Sequence, residues 1–168
     1  EDDHNRRLHW GHGYSCHVSV LRPKSRGSVR LANKDTAAAP LIDPQYLSHP
    51  DDLDLMVKGW HLQHALLASE PFDPYRRAAL YPVDANDPEA VIADIRNRSD
   101  TQYHPVGTCK MGDDDMSVVS NDLKVHKMKG LRVVDASIMP TLVGGNTNAP
   151  TIMIGEKASD LIINEWRI

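Results

Sequence analysis

Eleven prolines punctuate this chain, and their positions decide which stretches can become regular structure. Proline fixes φ and lacks an N–H, so a helix accepts it in the first turn and stops at it elsewhere. Pro50 follows Ser48, and Ser48 with Asp51 makes an S-x-x-D capping pattern that opens a helix. Leu53, Met56, Val57, Trp60, His64 and Leu67 continue it at helical spacing, and Pro71 and Pro74 close it. Asp87-Pro88 opens a second, shorter helix with Val91, Ile92 and Ile95 on its apolar stripe and Ser99 at its end. Pro150 fits the first turn of a last helix running to about Trp166. Between these, residues 14–22 (YSCHVSVLR) alternate with period two, which predicts a strand. Pro23 and Gly27 make PKSRG a turn, so 14–32 reads as a hairpin ending in the strand SVRLA. Pro40 and Pro44 set residues 33–44 as a loop. Val118-Val119 and residues 124–126 are suited to pair as short strands, and 131–135 (LRVVD) reads as a buried strand ending in a carboxylate. Residues 136–149 form a Gly-, Pro- and Asn-rich loop. Helices and strands without regular βαβ alternation predict an α+β fold, an antiparallel sheet flanked by helices.

Composition removes several function classes. A net charge of -4 leaves no basic footprint for nucleic acid, and no apolar stretch approaches the ~18 residues of a membrane span. The start, EDDHNRRLHW, is polar, unlike a signal peptide, and lacks an initiator Met, so the chain is expected to be a fragment or a processed form. Two cysteines, Cys16 and Cys109, are too few for a disulfide scaffold and fit a reduced, cytoplasmic setting.

Two loops concentrate the polar chemistry: TQYHPVGTCKMG (101–112) and GGNTNAPT (144–151). Histidine is the side-chain type suited to proton transfer near neutral pH, so His104 is a candidate to take a proton from an alcohol. Pro105 stiffens the backbone beside it, and Gly107 permits a close approach. A structural histidine in a turn is the competing reading. The Asn146 amide can donate to a substrate oxygen, and the helix behind it presents unpaired N–H groups and partial positive charge to a developing anion. The alternative is that Asn146 and Asn148 only cap that helix. Asp135, followed by the small Ala136 and Ser137, suits contact with a ligand or a local Asx-turn. His9, His12, Cys16 and His17 are metal-capable types without metal-site spacing, so no metal is assigned. Neither GxGxxG, GxxxxGK[ST] nor GxSxG occurs, so the chain carries no nucleotide-binding or nucleophile fingerprint.

Five stretches in order, LRPKSRGSVRL (21–31), PLIDPQYLSHPDDL (40–53), YHPVGTCKMG (103–112), KGLRVVDASIMP (129–140) and GNTNAPTIMIGEKASDLI (145–162), resemble the C-terminal part of the glucose–methanol–choline (GMC) oxidoreductases. Within that family the likeness is nearest to bacterial choline dehydrogenases and related FAD-dependent alcohol dehydrogenases. The resemblance implies a fragment lacking the FAD-binding Rossmann-type portion: about 14–128 as the substrate-binding part, and about 129–168 as the strand and helix that complete the FAD domain. It places the family's catalytic His at His104 and its second catalytic position at Asn146. It places flavin contacts at Asp135, Ala136, Thr147 and Asn148. The implied reaction oxidises a primary alcohol to an aldehyde by hydride transfer to flavin N5, with His104 as base. Ser120-Asn121 stands where many members have Asp-Pro, and Lys127 where a Gly often stands; both lie away from the presumed catalytic atoms.

The expected partners are a small alcohol substrate and the N-terminal FAD-binding portion of the same protein. A quinone link would place the enzyme at the periphery of the inner membrane. The isolated fragment is expected to be inactive, to hold little FAD, and to self-associate or loosen near both loops. The reason is that Val133, Ile152, Ile154, Leu161 and Ile162 would lose the surface they normally cover. The competing readings are a non-catalytic binding or assembly module of the same fold, another family member such as an oxidase or lyase, and a metal-binding protein built on the N-terminal histidines.

Overall fold

The computed structural model describes residues 10–166, so His9 of the N-terminal cluster lies outside the described residues. The chain divides into two compact units: Glu1–Val20 with Tyr46–Thr101, and Leu21–Gln45 with Gln102–Ile168.

The first unit is built on two helices. Helix α1 spans Pro50–Leu67 with Pro50 in its first turn. Its cap is His49, not Ser48: the imidazole Nδ1 accepts from the Asp51 N–H at 3.2 Å. Helix α2 spans Pro88–Arg98, capped by the Asp87 carboxylate, which accepts from Glu89 N and Ala90 N. Val91 and Ile95 of its stripe are buried. Trp60 of α1 joins the two helices, its indole N–H donating to Asp94 at 2.9 Å.

Residues 14–22 form no strand. Their alternation is nonetheless realised as packing: Cys16, Val18 and Val20 are half-buried while Ser15, His17 and Ser19 are exposed. Val18 covers Gly59 of α1, where a Cβ would lie 2.5 Å from the valine methyl. Period two records which side faces a core, and the strand itself also needs a hydrogen-bonding neighbour.

The second unit explains where that neighbour went. Strand β1 (Ser28–Arg30) pairs antiparallel with β2 (Leu41–Asp43), with Val29 opposite Ile42. The predicted loop 33–44 therefore supplies the partner strand, and the hairpin is 28–43 instead of 14–32. Gly27 permits the approach, since a Cβ there would sit 2.1 Å from the Asp43 carbonyl oxygen. The α+β class holds, with a two-stranded sheet.

The core of this unit is Val119, Leu123, Ile138, Met139, Ile154 and Ala158. Val118-Val119 and 124–126 do meet, as the single bridge Val119–Val125, and Met111 bridges Val119 from the other side. Residues 131–135 form no strand. They touch the chain through the Lys124–Arg132 bridge, with Leu131 46% and Val134 37% exposed. A β-rich run with one short neighbour stays an extended loop. Residues 136–149 contain a 3-10 turn, Ala136–Ile138, and α3 runs Asn148–Trp166. Of the apolar residues expected to lack cover, Ile154 is buried and Val133 and Leu161 pack against this core, while Ile152 and Ile162 are exposed. No described helix is long and apolar enough to cross a membrane.

Candidate active site

All the candidate catalytic and cofactor-binding residues lie in the second unit. His104 stands at the head of a loop whose tail is fastened to the core. Tyr103 adopts φ 60° and Gly107 φ 88°, so left-handed residues bracket His104-Pro105-Val106. For tyrosine that conformation costs roughly 1 kcal/mol. Beyond Gly107, Cys109 N donates to Ser137 O at 3.0 Å and Met111 N to Ile138 O at 2.8 Å. The loop is thus clipped to the 3-10 turn, whose Ile138 is buried.

That turn is set by Asp135, whose carboxylate accepts from Ser137 N at 2.8 Å. The Asx-type local role is therefore present. Asp135 is exposed, and Ala136 is half-buried against the core.

The third component is the start of α3. Thr147 is 8% exposed, and its carbonyl accepts from both Thr151 N (3.0 Å) and Thr151 Oγ1 (2.6 Å). Asn146, one residue earlier, is exposed. These two residues grip the two ring nitrogens of His104: Asn146 Nδ2 lies 2.8 Å from Nε2, and Thr147 Oγ1 lies 2.9 Å from Nδ1. An amide nitrogen only donates, so Nε2 must accept. A neutral imidazole has one acceptor nitrogen, so Nδ1 carries the hydrogen and donates to the threonine hydroxyl. With the amide nitrogen set against the ring, the imidazole lone pair falls on Nε2, the nitrogen facing the exposed Asn146.

The structure thus brings together His104, Asn146 and Thr147 from segments more than forty residues apart. Asn146 uses its amide on the histidine instead of capping the helix. Asn148 is the first residue of α3. Asp135 stands apart, bonded within its own turn.

The sequence did not single out Arg22. Its guanidinium lies against Gly144, where a Cβ would be 3.0 Å from Nε. A pocket of about 500 Å3 opens there, lined by Arg22, Pro23, Lys24, Arg26 and residues 141–144. The run LRPKSR carried the signal as three cations in five residues, and Gly144 is what lets the Arg22 guanidinium and the 141–144 loop touch.

An imidazole paired with an amide donor just ahead of a helix N-terminus is chemically suited to hold a hydroxyl oxygen. Residues 23–155 match the GMC oxidoreductase family through its C-terminal domain. The alcohol dehydrogenase [acceptor] of Pseudomonas putida is 45% identical over 164 residues, 97% of this chain and 30% of that protein. The oxygen-dependent choline dehydrogenase of Escherichia coli K12 is 43% identical over 152 residues, 90% of this chain and 27% of that protein. Among solved structures, the Aspergillus oryzae RIB40 formate oxidase, studied for the effect of a mutation on FAD modification, superposes with a TM-score of 0.82. It is 28% identical, with 88% of this chain and 26% of that chain covered. The chain belongs to the GMC oxidoreductase family, whose members are FAD-dependent oxidoreductases acting on alcohols. It spans under a third of the length of these curated relatives.

Proposed function

We propose that this chain carries the proton-handling side of an FAD-dependent dehydrogenase of choline dehydrogenase type, which oxidises a primary alcohol to its aldehyde. The observation that carries this reading is the 2.8 Å contact between Asn146 Nδ2 and His104 Nε2. A hydroxyl group bonds both partners of that contact in turn, its O–H donating to Nε2 and its oxygen accepting from the amide. An oxygen held at about 2.8 Å from each nitrogen needs them further apart than they stand here. The alcohol therefore displaces Asn146 from the ring, and the amide turns to the substrate oxygen. His104 then receives the hydroxyl proton on Nε2, and Asn146 steadies the oxygen as the carbonyl forms.

The residues fit FAD. The first turn of α3 offers N–H groups without helical acceptors and the positive end of its dipole. The rim before it is open, with nothing within 4 Å of a Cβ at Gly145. Asp135, Ala136, Thr147 and Asn148 hold the cofactor in this reading, Thr147 through its main chain because its hydroxyl serves His104. When bound, FAD supplies the acceptor for the hydride leaving the alcohol carbon. Residues 129–168 complete the FAD-binding part supplied by the rest of the enzyme, and this chain alone does not turn over.

The test is anaerobic flavin bleaching in the holoenzyme. His104→Ala and Asn146→Ala should each retain FAD and reduce it far more slowly, about a hundredfold or more for the base. Unchanged reduction in His104→Ala would remove the base from the mechanism.

A further inference from the structure

We infer that the Thr147 hydroxyl is a positioning group for the base, fixing which nitrogen of His104 faces the alcohol and steadying the ring while its charge changes. This rests on the reading of His104 as base. Three observations carry it. Thr147 Oγ1 lies 2.9 Å from Nδ1 and the residue is 8% exposed, so water competes poorly for that bond. The Thr147 carbonyl takes two bonds from Thr151 in the first turn of α3, so the hydroxyl is carried on a fixed backbone. The opposite nitrogen faces an exposed amide that has to move when a substrate arrives.

The two partners of the ring behave differently when it gains a proton. Nδ1 carries a hydrogen in both the neutral and the protonated ring, so the threonine oxygen accepts from it throughout. Nε2 changes from acceptor to donor, and the Asn146 N–H that points at it becomes a donor facing a donor. Asn146 must then turn its amide away or present Oδ1. Thr147 is the constant contact and Asn146 the one that switches. Without the hydroxyl, Nδ1–H loses its buried partner, and the ring is held only from the exposed Asn146 side, free to turn its Nε2 away from the alcohol.

The experiment uses the holoenzyme with Thr147→Val, Thr147→Ser and, as control, His104→Ala. Flavin reduction by a primary alcohol is followed anaerobically over a range of alcohol concentrations, with FAD content measured for each. Thr147→Val is expected to hold FAD and to reduce it about tenfold more slowly at saturating alcohol, with the half-saturating concentration little changed. Thr147→Ser, which keeps the hydroxyl, should recover most of the rate. An unchanged saturating rate in Thr147→Val, equal impairment of Val and Ser, or loss of FAD from both would each overturn the inference. If His104→Ala itself reduces normally, the reading of the base has failed; if only Thr147→Val does, the positioning role alone has.

Discussion

Helix α3 is fastened at both ends, and the two fastenings are opposites. At its start, Thr147 is buried and neutral, bonded to His104 and to Thr151. At its finish, Glu165 is exposed and charged, paired with Lys124 at 2.7 Å and with Arg132. The neutral end is buried at Thr147 and so fixes the direction of the imidazole: Nδ1 faces the helix start. The charged end lies in water, where screening and side-chain entropy take back most of the Coulomb attraction. Between them, Ile154 and Ala158 place one face of the helix in the core. The contrast teaches that the helix is held by its middle, aimed by its start, and merely tethered at its finish.

Substitutions along the helix sharpen that ranking. Ile154→Ala should cost the most, about 2–5 kcal/mol in urea unfolding, because it opens a cavity among Val119, Leu123 and Met139. Thr151→Ala should cost about 1 kcal/mol, the loss of the hydroxyl bond to the Thr147 carbonyl. It should also loosen the aim of Thr147, lowering the rate of flavin reduction in the holoenzyme more than the unfolding midpoint suggests. A stability loss at Thr151 as large as at Ile154 would break the distinction between aiming and holding.

Glu165→Gln should have the smallest effect, visible as a change in pH dependence. The hydrogen bonds from Lys124 and then Arg132 hold the Glu165 carboxyl below its ordinary range. A lowered folded-state pKa means stabilisation that is present above the ordinary glutamate pKa and lost as pH falls through the lowered one. Urea midpoints of the wild type and Glu165→Gln should therefore converge in acid and separate slightly toward neutral pH. Added salt should narrow the gap. A gap that persists in acid would show that Glu165 acts through packing and not through charge.

What the sequence made legible follows the range of the forces involved. Capping and proline signals act over a few residues, and they located α1, α2 and α3 to within a residue or two. Even there the α1 cap shifted from Ser48 to His49, because an imidazole nitrogen reaches the same N–H. Strand pairing depends on a distant neighbour, and it misled: residues 14–22 gave their alternating side to α1, and β1 took Leu41–Asp43 instead. The apolar run 131–135 looked like a strand because composition reports preference and says nothing of who lies alongside. At the site, family resemblance brought His104 and Asn146 to attention together, and the structure sets them 2.8 Å apart. The Thr147 hydroxyl on Nδ1 was not legible, since nothing in NTNAP says which way a threonine side chain turns. Arg22 against Gly144 was hidden for the same reason.

The doubly engaged imidazole has one more consequence, outside turnover. Histidines with a bare lone pair are the commonest protein ligands for zinc, copper and nickel. On His104 one nitrogen carries a hydrogen and the other is covered by an amide, so a stray transition ion finds no electron pair without first expelling Asn146. No group of three or more His, Cys, Asp or Glu among the described residues is placed to hold an ion in competition. The amide that covers Nε2 thus also stands between the imidazole and a metal ion.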